Sequence, residues 1–257
     1  MFPGEQKVGE IRRGSIDTNV IYNEDCIKVM KRLPDNSVDL IVTDPPYLMG
    51  YKTNYRQNKE HNFCSKILND DNPNLVKNYI KESYRILKNN SAIYCFANSN
   101  RIGFFKQEIE KYFNIKNIIV WVKNNHTAGD LKAQYGKKYE FIIYANKGRC
   151  EIKGKRLTDV WFFDRVSGNK QIHQNQKPLE LIKTCIKKSS NENDIVFDGF
   201  MGSGTAAVAS KLLNRKFIGC ELNGTEYYKA LKRIGKIDKN YYEELPEEEK
   251  PKQAQLF

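Results

Sequence analysis

The chain has 257 residues, 40% of them hydrophobic and 12% aromatic, with 43 Lys+Arg against 31 Asp+Glu and a net charge of +12. That length forms one large domain, able to bury roughly 70–75% of its unfolded surface with no disulfide or metal staple. No uncharged apolar run reaches the roughly 18–20 residues of a membrane span, the N-terminal MFPGEQKVGEIRRG lacks a signal-peptide apolar region, and the cysteines at 26, 64, 95, 150, 185 and 220 form no CxxC pair. Membrane, secreted, disulfide-scaffold and zinc-site classes are therefore set aside, and a cytoplasmic protein with reduced thiols is expected. Most of the positive excess lies between Lys111 and Lys188, with seventeen Lys/Arg against six Asp/Glu. Aromatics interleave with those charges, a composition suited to a polyanion that also presents bases.

In chain order, the first apolar run is Val38 to Thr43 (VDLIVT), expected to be a buried strand that leads into TDPPY. Leu75 to Leu87 places Leu75, Tyr79, Ile80, Ser83, Tyr84 and Leu87 on one helical face. Strands are expected at Ser91 to Ala97, Ile118 to Val122 and Glu140 to Ala145, then a helix over Pro178 to Lys188 with its proline in the first turn. Strands at Asp194 to Phe197 and Lys216 to Glu221 flank the helix-prone AAVASKLL. Buried strands alternating with amphipathic helices predict an α/β fold, a mixed, mostly parallel sheet with helices on both faces. The stretches 48–62, 124–138 and 147–174 resist this pattern, and loops of that length in a compact domain are usually functional. Residues 243–257, acidic and Pro-containing, are expected to be a disordered tail.

Phe197 to Thr205 reads FDGFMGSGT, between an apolar strand and a helix. Its glycines at 199, 202 and 204 allow a tight turn and let backbone N–H groups approach a ligand at a helix N-terminus. No Lys follows Gly204, so the Walker pattern for a nucleoside triphosphate is excluded. The next strand ends at Glu221, 17 positions after Gly204, where a carboxylate can take both hydroxyls of a ribose. A nucleoside-bearing ligand without a pyrophosphate fits this combination.

TDPPY at Thr43 to Tyr47 lies at the C-terminal end of a buried strand, the edge at which open α/β sheets bind ligands. Pro45 and Pro46 fix the backbone, so the Asp44 carboxylate and Pro45 carbonyl stand at a set spacing while Tyr47 offers a ring face. An ordinary Pro-rich turn would use the same residues.

Together, TDPPY and FDGFMGSGT resemble the amino-methyltransferases of DNA, and IHQNQKPLELI at 172–182 is similar to the element that precedes the Gly loop in that family's β class. NEDC, IIVWVKNN and KYEFIIYANKG look like further pieces of the same class. The resemblance implies a circularly permuted Rossmann-like methyltransferase fold, with a catalytic half at 18–147, a short target-recognition insertion at 148–172 and a cofactor-binding half at 173–237. It implies S-adenosylmethionine as cofactor, held by Asp25, Asp44, Lys177, Asp198, Gly199, Phe200, Gly202, Ser203, Gly204, Thr205 and Glu221, and catalysis by Asp44, Pro45, Pro46 and Tyr47. The loop departs from the family in carrying Gly199 where proline is usual, and His173 is followed by Gln174 and Asn175 in place of Pro-Thr.

An acidic first residue in the signature points by resemblance to the N6 amine of adenine in duplex DNA, with cytosine N4 as the alternative, and behind it an RNA or protein-amide methyltransferase or a non-catalytic binding module. Phosphate contacts are expected from Lys123, Lys132, Lys137, Lys138, Arg149, Lys153, Lys155, Arg156 and Arg165. The recognition region is short, which suits a brief target sequence, a homodimer or a helping partner. Gln253 to Phe257 (QAQLF) resembles the peptide with which bacterial proteins dock on the replication sliding clamp.

Overall fold

The computed structural model describes residues 17–49, 70–126, 131–166 and 176–235. In chain order these form β1 (Val20–Tyr22), α1 (Cys26–Arg32), β2 (Val38–Thr43), α2 (Pro73–Ile86), β3 (Leu87–Ala97), α3 (Ile102–Glu110), β4 (Asn114–Val122), β5 (Tyr139–Lys147), β6 (Val160–Phe162), α4 (Leu179–Ser189), β7 (Ile195–Asp198), α5 (Thr205–Leu212), β8 (Lys216–Cys220) and α6 (Gly224–Gly235). No helix among the described residues is long and apolar enough to cross a membrane.

The strands form one sheet in the order β1-β8-β7-β2-β3-β5-β4-β6. β5 runs antiparallel to both its neighbours, and every other pairing is parallel. Residue alternation divides the core between two faces. Ile41, Ile93, Cys95, Ile143, Phe197 and Ile218 pack with Val29, Met30, Tyr79, Ile80, Phe105 and Ile109 of α1, α2 and α3. Leu40, Val42, Tyr94, Phe96, Trp121, Ile142 and Val196 pack on the other side with residues of α4, α5 and α6. The mixed sheet covered on both faces is the expected architecture.

The local signals behave as their chemistry predicts. Asn72 caps α2, its side chain accepting from Leu75 N at 3.2 Å ahead of Pro73, and Asp25 caps α1 by accepting from the Ile27 and Lys28 amides. Pro178 stands one place outside α4, at its N-cap, rather than inside its first turn. The three-residue strands β1 and β6 are additions to the expected set, each held by one neighbour only. β4 starts four residues earlier than its apolar run because its ladder with β5 extends to Asn114, and β3 starts four earlier because Leu87 pairs with Val38 ahead of an irregularity at the polar Lys88 to Asn90.

β2 pairs with β3 on one side and β7 on the other, and chain leaves β2 toward α2 on one face and β7 toward α5 on the opposite face. The crevice where such connections diverge is where open α/β sheets bind ligands. Ile41, fully buried on β2 and opposite Phe197, holds that junction. Ile41→Ala should cost about 2–5 kcal/mol, read as a lower denaturation midpoint with an unchanged slope.

Candidate active site

The loops after β7 and β2 meet because their strands are hydrogen-bonded, Leu40 beside Val196 and Ile41 beside Phe197. The sheet's carboxyl edge thus brings together Asp44 to Tyr47, Asp198 to Gly204, and Glu221, which follows β8. Gly204 caps α5 with φ +82°, and a Cβ there would lie 3.0 Å from the Ala230 side chain of α6. Glu221 is positioned from both sides: Oε2 accepts from Gly202 N at 2.7 Å and Oε1 from Asn223 N at 2.8 Å. Each carboxylate oxygen retains acceptor capacity for a ribose hydroxyl. Ser203 and Thr205 turn inward, Thr205 Oγ1 accepting from Arg233 Nη1 at 2.9 Å. This bracing of the loop by α6 had no motif to reveal it.

The cofactor side is acidic. Burial pushes the Asp198 carboxyl up to about 7, the Asp44 and Glu221 carboxylates adding to the shift, while the Phe200 amide, donating to Oδ1 at 3.0 Å, and the Thr43 hydroxyl oppose it. Burial also raises Glu221, against the Asn223 and Gly202 amides. Closely placed carboxyls whose ionisation burial opposes suit a ligand that brings positive charge, and S-adenosylmethionine carries a sulfonium and an ammonium. The donor set therefore fits that cofactor. Asp25 stands at the same edge, after β1, with Asn23 linking it to the Glu221 segment through a 2.7 Å bond from Nδ2 to the Glu221 carbonyl.

The other side is built differently from expectation. Lys177 is buried with its ammonium 2.8 Å from Asp44 Oδ2, 3.0 Å from Glu140 Oε2 and 3.0 Å from Tyr47 Oη, over the faces of Phe96 and Trp121. The structure thus places Lys177, expected among the cofactor-binding residues, against the Asp-Pro-Pro-Tyr turn. Tyr47 donates to Asp44 Oδ1 at 2.6 Å and lies 3.3 Å from Glu140 Oε2. Lys123 also pairs with Glu140. Burial alone would raise Glu140, yet Lys177 and Lys123 hold it down at about 2; burial would lower Lys177, yet Asp44 and Glu140 keep it raised. Burial and the two carboxylates push Tyr47 well up, so its phenol stays a donor. Glu140 was not among the predicted site residues; the signal was a lone acid at the start of an apolar run.

The turn itself is strained. Leu48 follows Tyr47 at φ +57°, a conformation that costs an ordinary side chain roughly 1–2 kcal/mol. Arg101 Nε donates to the Leu48 carbonyl at 3.1 Å and Asp70 accepts from the Met49 amide at 3.2 Å, holding it in place.

The expected DNA-contacting cations separate into groups. Lys123, 14% exposed and paired with Glu140, is spent inside the protein. Lys132, Lys137 and Lys138 precede β5 and Arg165 follows β6, all at the carboxyl edge beside the site. Arg149, Lys153, Lys155 and Arg156 are at the opposite edge. Arg149 N donates to Asn90 at the start of β3, and the Lys153 and Lys155 carbonyls accept from Lys188 at the end of α4. Eleven residues of α4 separate that level from Lys177, roughly 16 Å at 1.5 Å per residue. Between Arg149 and Arg165 the chain therefore runs from one edge of the sheet to the other through β6. His173, Gln174 and Asn175 lie outside the described residues, as does the tail.

A Gly-loop crevice lined with acids, beside a rigid Asp-Pro-Pro-Tyr turn at a sheet switch point, defines a Rossmann-like methyltransferase. A protein-family model described as DNA methylase matches residues 38–233, and the chain belongs to that family. It is 31% identical to the type II methyltransferase M.HpaI of Haemophilus parainfluenzae over 86% of this chain and 75% of that one. It is 30% identical to the DNA adenine methyltransferase YhdJ of Escherichia coli K12 over 93% and 90%. Among solved structures, the M1.HpyAVI–SAM complex superposes with a TM-score of 0.65 at 29% identity, covering 83% of this chain and 98% of that one.

The position of Asp198 carries a pH prediction. Its folded-state value of about 7 exceeds the roughly 3.9 of an unfolded aspartate, so the fold favours the neutral form and stability attributable to this group falls as pH rises from about 4 to about 7. A cationic ligand favours the ionised form. S-adenosylmethionine affinity measured by calorimetry should therefore rise with pH through about 7, and Asp198→Asn should flatten that dependence.

Proposed function

We propose that the protein moves a methyl group from S-adenosylmethionine to the N6 amine of an adenine swung out of duplex DNA. The observation that carries the reading is the Asp44 carboxylate, fixed by a two-proline turn at the switch point beside the acidic Gly-loop crevice. The family membership and the adenine activity in the name of the YhdJ relative support it.

An exocyclic amine is a weak nucleophile because its lone pair is delocalised into the ring. S-adenosylmethionine, when bound, supplies a methyl group on a sulfonium, an electrophile that needs no further activation. The chain must therefore supply orientation and electrostatics. Asp44 and the Pro45 carbonyl accept the two N–H bonds of the amine, which directs the lone pair out of the ring plane and stabilises positive charge developing on nitrogen. Unstacking the base costs a few kcal/mol, offset by contacts such as the Tyr47 ring.

Both Asp44 oxygens have donors, Tyr47 on one and Lys177 on the other. An arriving amine displaces one of them. Glu140 lies within hydrogen-bond reach of both donors, so a displaced phenol or ammonium keeps a partner instead of being stranded in a buried site. Lys132, Lys137, Lys138 and Arg165 are assigned to phosphates flanking the extruded base, with the 74% exposed Phe162 at the end of β6 among them. A homodimer would widen the short surface available for sequence readout.

Asp44→Ala should abolish methyl transfer to DNA while S-adenosylmethionine binding persists, checked by mass spectrometry of digested nucleosides alongside calorimetry. N6-methyladenine from the unaltered protein supports the reading; N4-methylcytosine would reassign the base, and full activity in the variant would remove Asp44 from the mechanism. The QAQLF peptide at 253–257 is assigned to the groove of a sliding clamp, an acidic stretch followed by a Leu-Phe anchor. Deleting it should abolish binding to a purified clamp and leave methylation of short duplexes unchanged.

A further inference from the structure

Tyr79 lies on α2, away from the sequence motifs, yet its hydroxyl reaches both loops of the site. It is 1% exposed, donates to Thr43 Oγ1 at 2.9 Å and accepts from Gly199 N at 3.3 Å. Thr43 immediately precedes Asp44, and Gly199 immediately follows Asp198. The Thr43 hydroxyl also helps to hold the Asp198 carboxyl down against burial. A phenol has one proton to give, which fixes the directions: Tyr79 gives to Thr43, and the Gly199 amide gives to Tyr79. The ring is held as firmly as the hydroxyl, stacked on Phe197 with centroids 6.5 Å apart and tilted against Phe200 at 4.8 Å.

The fit also explains residue 199. A Cβ added there would come within 2.3 Å of Tyr79 Cε2. The bare backbone at Gly199 admits the ring, and the ring fills the space a side chain would take. The tyrosine and the glycine therefore act as one unit.

The geometry points to Tyr79 as a positioning residue that sets the spacing between the acceptor turn and the cofactor loop. This rests on the methyl-transfer reading, in which Asp44 receives the amine and the Gly loop receives the methyl donor. β2 and β7 are joined by backbone ladder only as far as Ile41 and Phe197. Beyond that pairing, Tyr79 ties the two loops together from α2. Transfer between two held reactants is sensitive to small misplacements, so a strut here acts on the chemical step more than on binding.

The test is Tyr79→Phe, which keeps the ring and removes both hydrogen bonds, with Thr43→Val cutting the same connection from the other side should the first variant fail to fold. Dissociation constants for S-adenosylmethionine and KM for a duplex substrate should stay near those of the wild type, while kcat falls roughly tenfold to a hundredfold. The double variant should be no slower than the worse single one. Hydrogen exchange followed by mass spectrometry supplies a readout that does not depend on methylation: S-adenosylmethionine should protect the segment 43–49 in the wild type and fail to do so in Tyr79→Phe. A purely structural role would lower Tm in both variants with kcat and protection unchanged, and that result would overturn the proposal. A wild type that shows the coupled protection but methylates neither adenine nor cytosine would overturn the proposed function and leave the strut standing.

Discussion

The pairing of β2 with β7 is the constraint on which the site depends. Two strands far apart in sequence, 38–43 and 195–198, lie side by side at the middle of the sheet and send their chains to opposite faces. That divergence opens the crevice, and it puts the Asp-Pro-Pro-Tyr turn beside the Gly loop with no other element between them. The strand order also explains how the Asp-Pro-Pro-Tyr turn can precede the Gly loop in the chain. A parallel pair needs only crossovers, and the sheet does not record which strand was made first.

The same edge is divided electrostatically. Asp25 and Glu221 follow β1 and β8 and Asp198 ends β7, whereas Lys138 precedes β5 and Arg165 follows β6. An acidic end suits a ligand with a sulfonium and an ammonium, and a basic end suits a phosphate backbone. Asp44 stands at the boundary, where the proposed transfer would bring the amine of a base to the methyl of the donor. The Lys177–Glu140–Lys123 group keeps that boundary from becoming a simple repulsive field. A buried acid between two lysines is held ionised at about 2, and one of those lysines also neutralises Asp44. Removing Lys177 would leave Asp44 without its ammonium partner and Glu140 with one lysine instead of two, away from water, which is costly in a way that removing a surface pair is not.

Much of this arrangement was legible in the sequence, for identifiable reasons. Central parallel strands are buried on both faces and read as continuous apolar runs, so 38–43 and 216–220 stood out. The loops were visible because glycine and proline restrict the backbone in ways few other residues can. The short edge strands β1 and β6 were not, since three residues held by one neighbour leave no periodicity to detect. Charge misled most. Lys123, Lys153 and Arg165 look alike in a basic stretch, but an antiparallel β5 sends the chain to the far edge and β6 brings it back, so residues a dozen positions apart end on opposite sides of the sheet.

Glu140 and Tyr79 show a deeper limit. Each acts through partners more than 35 positions away, Glu140 on Lys177 and Tyr47, Tyr79 on Thr43 and Gly199. Neither belongs to a motif, because a motif records local backbone requirements and these side chains answer to distant ones. Gly199 is the exception that links the two levels. Read locally, it is a flexible loop residue; in the fold it is the space a tyrosine ring occupies. A glycine at that point in the loop therefore implies a bulky neighbour from another element, and α2 is the element whose buried face looks onto both loops. The amphipathic pattern that placed Tyr79 on that face was sufficient to bury it, and only the paired strands determine that its hydroxyl ends between the Asp-Pro-Pro-Tyr turn and the Gly loop.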